Sequence, residues 1–95
     1  MLYFIYRVDK PNSAELREAT RPAHLEWAKT LGDRLRYAGP TLDEESGAMI
    51  GSVWMLEAES RDEAARITQS DPYEKAALFE SKTVQAFMQV VPWDE

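Results

Sequence analysis

Leu35-Arg36-Tyr37-Ala38-Gly39-Pro40-Thr41-Leu42, then Asp43-Glu44-Glu45-Ser46-Gly47, then Met49 to Ala58, is the stretch whose reading decides the fold. The outer two segments read as strands. The second carries Val53, Trp54, Met55 and Leu56 in a row, residue types that suit a pleated, half-buried surface. The short acidic turn between them makes the pair a hairpin. Gly39-Pro40 reads as a kink or bulge near the end of the first of these strands.

Working toward the N-terminus, His24, Trp27, Ala28 and Leu31 stand at offsets 0, 3, 4 and 7, one face of a helix that Gly32 ends. A helix-interior proline loses a backbone bond and clashes with the preceding turn. Pro22 therefore predicts two helices, a short one over 13–19 opened at Asn12 or Ser13, and a second with Thr20 as its cap and Pro22 in its first turn. Before them, Leu2-Tyr3-Phe4-Ile5-Tyr6-Arg7-Val8 is β-branched and aromatic and reads as a strand stopped by Pro11-Asn12-Ser13.

Working toward the C-terminus, Ser60-Arg61-Asp62-Glu63 is a capping box that opens a helix carrying Ala64, Ala65 and Ile67. Asp71-Pro72-Tyr73-Glu74 restarts the chain, with Asp as cap, Pro in the first helical position and a helical turn through Leu78. Thr83 to Val91 reads as the last strand, with Val84, Ala86, Met88 and Val90 on one face. The order β-α-β-β-α-β predicts a ferredoxin-like α+β sandwich, residues 1–95 as a single domain, with both helices on one face of a four-stranded antiparallel sheet. The first and third strands are apolar on both faces, whereas an antiparallel sheet with one wet face alternates. Two helices cover one face, so the other is expected to meet a second copy in a homodimer.

Composition bounds the function. The chain is 44% hydrophobic and 29% charged, which is globular, and its ten aromatics are generous for 95 residues. No apolar run approaches the roughly 18 residues of a membrane span, and MLYFIYRVDK lacks the basic n-region of a signal peptide, so a cytoplasmic protein without membrane contact is expected. Zero Cys excludes disulfides, thiolate catalysis and Cys-ligated zinc, and one His excludes a multi-His metal site within the chain. A net charge of −6 argues against nucleic acid, which needs a basic patch. The glycines at 32, 39, 47 and 51 form no phosphate loop or dinucleotide fingerprint. No metal and no cofactor are expected.

The residues that can carry chemistry are few. His24 is the lone histidine; on its apolar helix face it is either a core residue satisfied by a carbonyl or a general acid–base near neutrality. Asp71 before Pro72 is an ordinary cap, and its second oxygen is free to meet an imidazole. Arg21 either clamps an anionic group or is solvated. Gly39 is structural or admits a ligand close to the backbone. Tyr6, Ser52 and Tyr73 are ordinary by themselves.

Arg21-Pro22-Ala23-His24-Leu25, then Ala38-Gly39-Pro40, then Asp71-Pro72-Tyr73 after an Ala-rich helix, together with the opening Leu2-Tyr3-Phe4-Ile5-Tyr6, resemble the YCII-related proteins. The resemblance covers most of the chain. It implies a dimeric α+β barrel like that of muconolactone isomerase, and a His–Asp pair in a cleft that falls here on His24 and Asp71. One characterised branch of that family removes chloride from chlorinated hydroxyhydroquinones.

The expectation is a small, cofactor-independent lyase or isomerase, dehydrochlorinase-like, that uses His24 and Asp71 for proton transfer on a small aromatic or cyclic metabolite. Tyr6, Gly39, Ser52 and Tyr73 are expected to line the cleft, with Arg21 at its rim. A non-catalytic module that binds a small ligand, or a structural dimerisation domain, is the alternative.

Overall fold

The computed structural model describes residues 1–92. Four strands, β1 (Leu2–Asp9), β2 (Leu35–Leu42), β3 (Met49–Glu57) and β4 (Phe79–Phe87), form one sheet in the order β2-β3-β1-β4. Every neighbouring pair is antiparallel. Helix α1 (Ala14–Lys29) joins β1 to β2, and α2 (Arg61–Gln69) and α3 (Pro72–Lys75) join β3 to β4. This is the expected ferredoxin-like α+β arrangement.

The period-two alternation of a strand decides what each face carries. Tyr3, Ile5 and Arg7 of β1 point toward the helices and stand opposite Leu56, Trp54 and Ser52 of β3. Val84 of β4 completes the row beside Ile5. Tyr3, Ile5, Trp54, Leu56 and Val84 form the hydrophobic core with Leu31, Ala58 and Ala64, and Trp27, Leu35 and Ile67 pack against it. Each large side chain buried here contributes about 1.5–3 kcal/mol. Leu2, Phe4, Tyr6 and Val8 point to the other face, where Phe4 stands opposite Met55 and Tyr6 opposite Val53.

The sequence-predicted caps are present. Ser60 accepts the Glu63 amide at 3.0 Å, while the Glu63 carboxylate reaches the Glu59 amide at 2.9 Å, one residue before the cap. Asp71 caps α3, with Pro72 in its first turn.

Three expectations are corrected. Pro22 does not divide α1, which runs unbroken through it, and Thr20 lies inside the helix rather than capping one. Pro22 and Glu18, whose carbonyl loses its amide partner, are both exposed, so water can serve that carbonyl. The buried anchors on the opposite side, Arg17 and His24, offset the remaining loss. The last strand runs Phe79–Phe87, not Thr83 to Val91, because its limits are those of its partner β1, with Phe79 opposite Asp9 and Phe87 opposite Leu2. Met88 and Val90 therefore lie beyond the ladder and are exposed. Gly39 and Pro40 pair regularly with Val53 and Ser52; the register shifts of β2 fall on either side of them. Pro40 is tolerated because β2 is an edge strand. Among the described residues, no helix is long and apolar enough to cross a membrane.

Candidate active site

The site forms where α1, the start of α3 and the middle of the sheet meet. Arg17, Arg21, His24 and Ala28 stand at i, i+4, i+7 and i+11, so continuity of α1 through Pro22 places all four on its sheet-facing side. The first turn of α3 approaches them from the other direction. Asp71 Oδ1 accepts the Tyr73 amide at 2.9 Å and lies 2.7 Å from His24 Nδ1. One oxygen thus does both jobs expected of two. The other, Oδ2, is 2.9 Å from Arg7 Nη1.

His24 is held by its edge and by its face. The Tyr73 ring stacks on the imidazole at 3.9 Å and 16°, and the Trp54 and Trp27 rings stand 6.1 and 6.4 Å away. Asp71 is fully buried, whereas His24 retains 9% exposure at the cleft wall. With Nδ1 given to Asp71, Nε2 has no hydrogen-bond partner among the described residues. A carboxylate on one imidazole nitrogen fixes the tautomer and presents the other as a base.

The cleft beside the imidazole measures about 150 Å³. Arg17, Arg21, His24, Gly39, Ser52, Trp54 and Tyr73 line it, with Leu25, Ala28, Ala38 and Pro40. No Asp or Glu is in this lining, although the chain as a whole carries a charge of −6. Arg17 is buried and tied down: its Nε and Nη2 donate to the two Asp9 oxygens at 2.8 and 3.0 Å, Nη2 donates to the Gly51 carbonyl at 2.9 Å, and Nη1 reaches the Tyr73 hydroxyl at 3.4 Å. Burial pulls the Arg17 guanidinium down, but the hydrogen bonds and charge of Asp9 outweigh it, so the group is held above its ordinary value. Burial pushes the Tyr73 phenol up, against the opposing charges of Arg17 and Arg21. Arg21, by contrast, is exposed and has no carboxylate partner among the described residues.

Five of the residues picked from sequence, Arg21, His24, Gly39, Ser52 and Tyr73, line one cleft, and Asp71 stands directly behind His24. Tyr6 does not. It lies on the opposite face of the sheet, 37% exposed, because side chains alternate and its neighbour Arg7 takes the inward position. Arg7 and Arg17 escaped sequence reasoning. The signal for Arg7 was a lone cation among the inward residues Tyr3 and Ile5. The signal for Arg17 was its spacing of seven from His24, hidden by the supposed break at Pro22. No group of three or more His, Cys, Asp or Glu among the described residues could hold a metal ion.

The chain is 38% identical to protein YciI of Escherichia coli over 97 residues, covering 95% of this chain and 99% of that one. It is 38% identical over 79 residues to the derivative of benzaldehyde biosynthesis cluster protein C of Emericella nidulans, covering 72% of this chain and 81% of that protein. Among solved structures it is similar to 5-chloro-2-hydroxyhydroquinone dehydrochlorinase (TftG) of Burkholderia phenoliruptrix in complex with 2,5-dihydroxybenzoquinone. The TM-score is 0.88 at 37% identity, over 93% of this chain and 94% of that one. The YCII-related domain profile matches residues 1–88, and the chain belongs to that family.

Proposed function

We propose that this chain is a small enzyme in which His24 and Asp71 move a proton on a small aromatic or cyclic metabolite, in an elimination or isomerisation that needs no cofactor. The observation that carries this reading is the imidazole with Nδ1 committed to a buried carboxylate and Nε2 left without a protein partner at the wall of a cleft. The ligand class follows from size and lining. A volume of about 150 Å³ is enough for a benzene-sized ring. The Trp54 and Tyr73 rings in the lining give a flat ring faces to lie against. Arg21 offers an unpaired cation to an ionised oxygen. The similarity to a dehydrochlorinase crystallised with a dihydroxybenzoquinone supports the same class.

In the elimination, Nε2 takes a hydroxyl proton from the keto tautomer of the ring, in which the carbon that bears the leaving group is saturated. The pair of the O–H bond becomes a carbonyl bond, the ring double bond shifts to that carbon, and the leaving group departs with its own pair. Asp71 stabilises the imidazolium while it lasts. Acyl transfer is disfavoured, because the serine in the cleft, Ser52, has its Oγ engaged by Arg7 Nε at 3.3 Å rather than by His24.

The working form in this reading is a homodimer. Phe4, Tyr6, Val53 and Met55 form an apolar patch on the sheet face away from the helices, and a second copy would bury it.

The test is chloride release from 5-chloro-2-hydroxyhydroquinone by wild type, His24→Ala and Asp71→Asn. Removal of a general base costs typically 10²–10⁴-fold, roughly the loss expected for His24→Ala. Equal rates in all three proteins, or none in wild type with this and related halogenated hydroquinones, would overturn the proposal.

A further inference from the structure

Arg7 has no exposure at all, as does the Asp71 it faces. Its guanidinium lies between two aromatic faces, 4.6 Å from the Trp54 ring centroid and 4.5 Å from that of Phe79. Nη1 lies 2.9 Å from Asp71 Oδ2 and donates to Glu74 Oε2 at 3.0 Å, and Nε donates to Ser52. Glu74 continues to Lys82, whose Nζ lies 2.9 Å from Oε1 and also 2.9 Å from the Thr68 hydroxyl. Arg7 Nη2 is buried without an acceptor, and Asp71 Oδ2 has no aligned hydrogen bond. The contact between Arg7 and Asp71 is therefore one of charge more than of directed bonding.

The consequence appears in the charge around His24. α3 contributes Asp71, Glu74 and the phenol of Tyr73; β1 contributes Arg7; β4 contributes Lys82; its own helix contributes Arg17, paired with Asp9, and exposed Arg21. β3 faces it with uncharged Ser52 and Trp54. Arg7 and Lys82 balance Asp71 and Glu74, so the buried cluster is neutral while the imidazole is neutral. A second proton on His24 would leave it with an uncompensated positive charge. Without Arg7 the sign reverses, and the second proton would be the one that restores balance.

We propose that Arg7 is a positioning residue that sets the charge state of the His24–Asp71 pair, holding Asp71 as a carboxylate whose pull on the imidazole is already partly spent, so that Nε2 stays free to accept a proton. The use of that free nitrogen in catalysis rests on the proposed function; the charge assignment does not.

His24 is the single histidine of the chain, so its ring resonances are unambiguous. The experiment is an NMR titration of the His24 ring, with nitrogen shifts to assign the tautomer, in wild type, Arg7→Lys, Arg7→Met and Glu74→Gln. Arg7→Met should titrate at higher pH than wild type by about one unit, the scale of a nearby buried charge. Arg7→Lys, which keeps the charge, should stay nearer wild type than Arg7→Met does. Glu74→Gln removes a negative charge and should titrate below wild type. In wild type, the neutral ring should carry its proton on Nδ1. Folded Arg7→Met titrating with wild type would overturn the proposal. If Arg7→Met does not fold, Glu74→Gln decides: a downward move supports the proposal, and no move or an upward one overturns it. Predicted shifts in a protein without turnover would remove the proposed reaction and leave the charge assignment standing. Turnover with unshifted titrations would do the reverse.

Discussion

The Tyr73 ring stacks on the His24 ring at 3.9 Å, while Asp71, two residues earlier, holds the same imidazole by its edge. One turn of helix thus grips the histidine from two sides. Proline at the first position of that turn presets the backbone, and the Asp71 cap on the Tyr73 amide fixes the two gripping side chains relative to each other. The Asp-Pro-Tyr sequence is a local structure as well as a set of functional groups.

Cutting the pair should have unequal effects on stability. Asp71→Ala removes a cap and leaves buried Arg7 with Glu74 as its only carboxylate partner, so a loss of roughly 3–5 kcal/mol is expected. His24→Ala removes a stacked ring but strands no buried charge, and a loss of about 1–2 kcal/mol is expected. Denaturant midpoints of the two variants check the order; His24→Ala as the more damaging change would contradict it.

Tyr73 gives the protein an alkaline weakness. Its phenol is held above its ordinary value by burial. Below pH of about 10 both folded and unfolded chains keep the proton, and this contribution to stability is whole. As pH rises further, the unfolded chain releases its proton first, and stability falls until the pH passes the raised folded-state value. Tyr73→Phe should reduce the slope of stability against pH in that window. An unchanged slope would show that the phenol ionises as readily in the folded protein.

Arg21 should matter for binding and not for folding. It is exposed and unpaired at the cleft, so Arg21→Gln should leave the denaturant midpoint within error. Affinity for an anionic hydroxyquinone should fall by about two- to fivefold, the worth of one exposed charge contact, and the loss should shrink in high salt. Equal affinity of both proteins at low salt would place the ligand elsewhere.

The sheet face bearing Phe4 and Met55 should be covered in solution. Light scattering at micromolar concentration is expected to give twice the chain mass, and Phe4→Lys, at the centre of that face, should give the single mass while keeping its circular dichroism. A wild-type monomer would contradict the dimer.

What the sequence made legible follows physical range. The hairpin, the caps at Ser60 and Asp71 and the face of α1 from His24 to Ala28 depend on neighbours within a few residues, and all were readable; the helix itself ends at Lys29, before Leu31 and Gly32. Pro22 was misread because its local penalty is real, while the contacts that offset it, Arg17 to Asp9 and His24 to Asp71, join distant segments. The end of β4 was misread because Met88 and Val90 continue the alternation past the point where β1 has a partner to offer. Tyr6 is misplaced because β1 is apolar on both faces, so its sequence alone does not say which alternate set, Tyr3-Ile5-Arg7 or Phe4-Tyr6-Val8, turns toward the helices. The cation was the less familiar choice for a core, and its two carboxylate partners lie 64 and 67 residues away in sequence.

Binding of a small ring against His24 is what the proposed function requires first. Isothermal titration of 2,5-dihydroxybenzoquinone into wild type and folded His24→Ala measures this. The predicted result is one site per chain in wild type and an affinity at least about tenfold weaker in the variant, the loss of one charge-assisted contact. Absence of binding to wild type, or the same affinity in both proteins, would contradict the account.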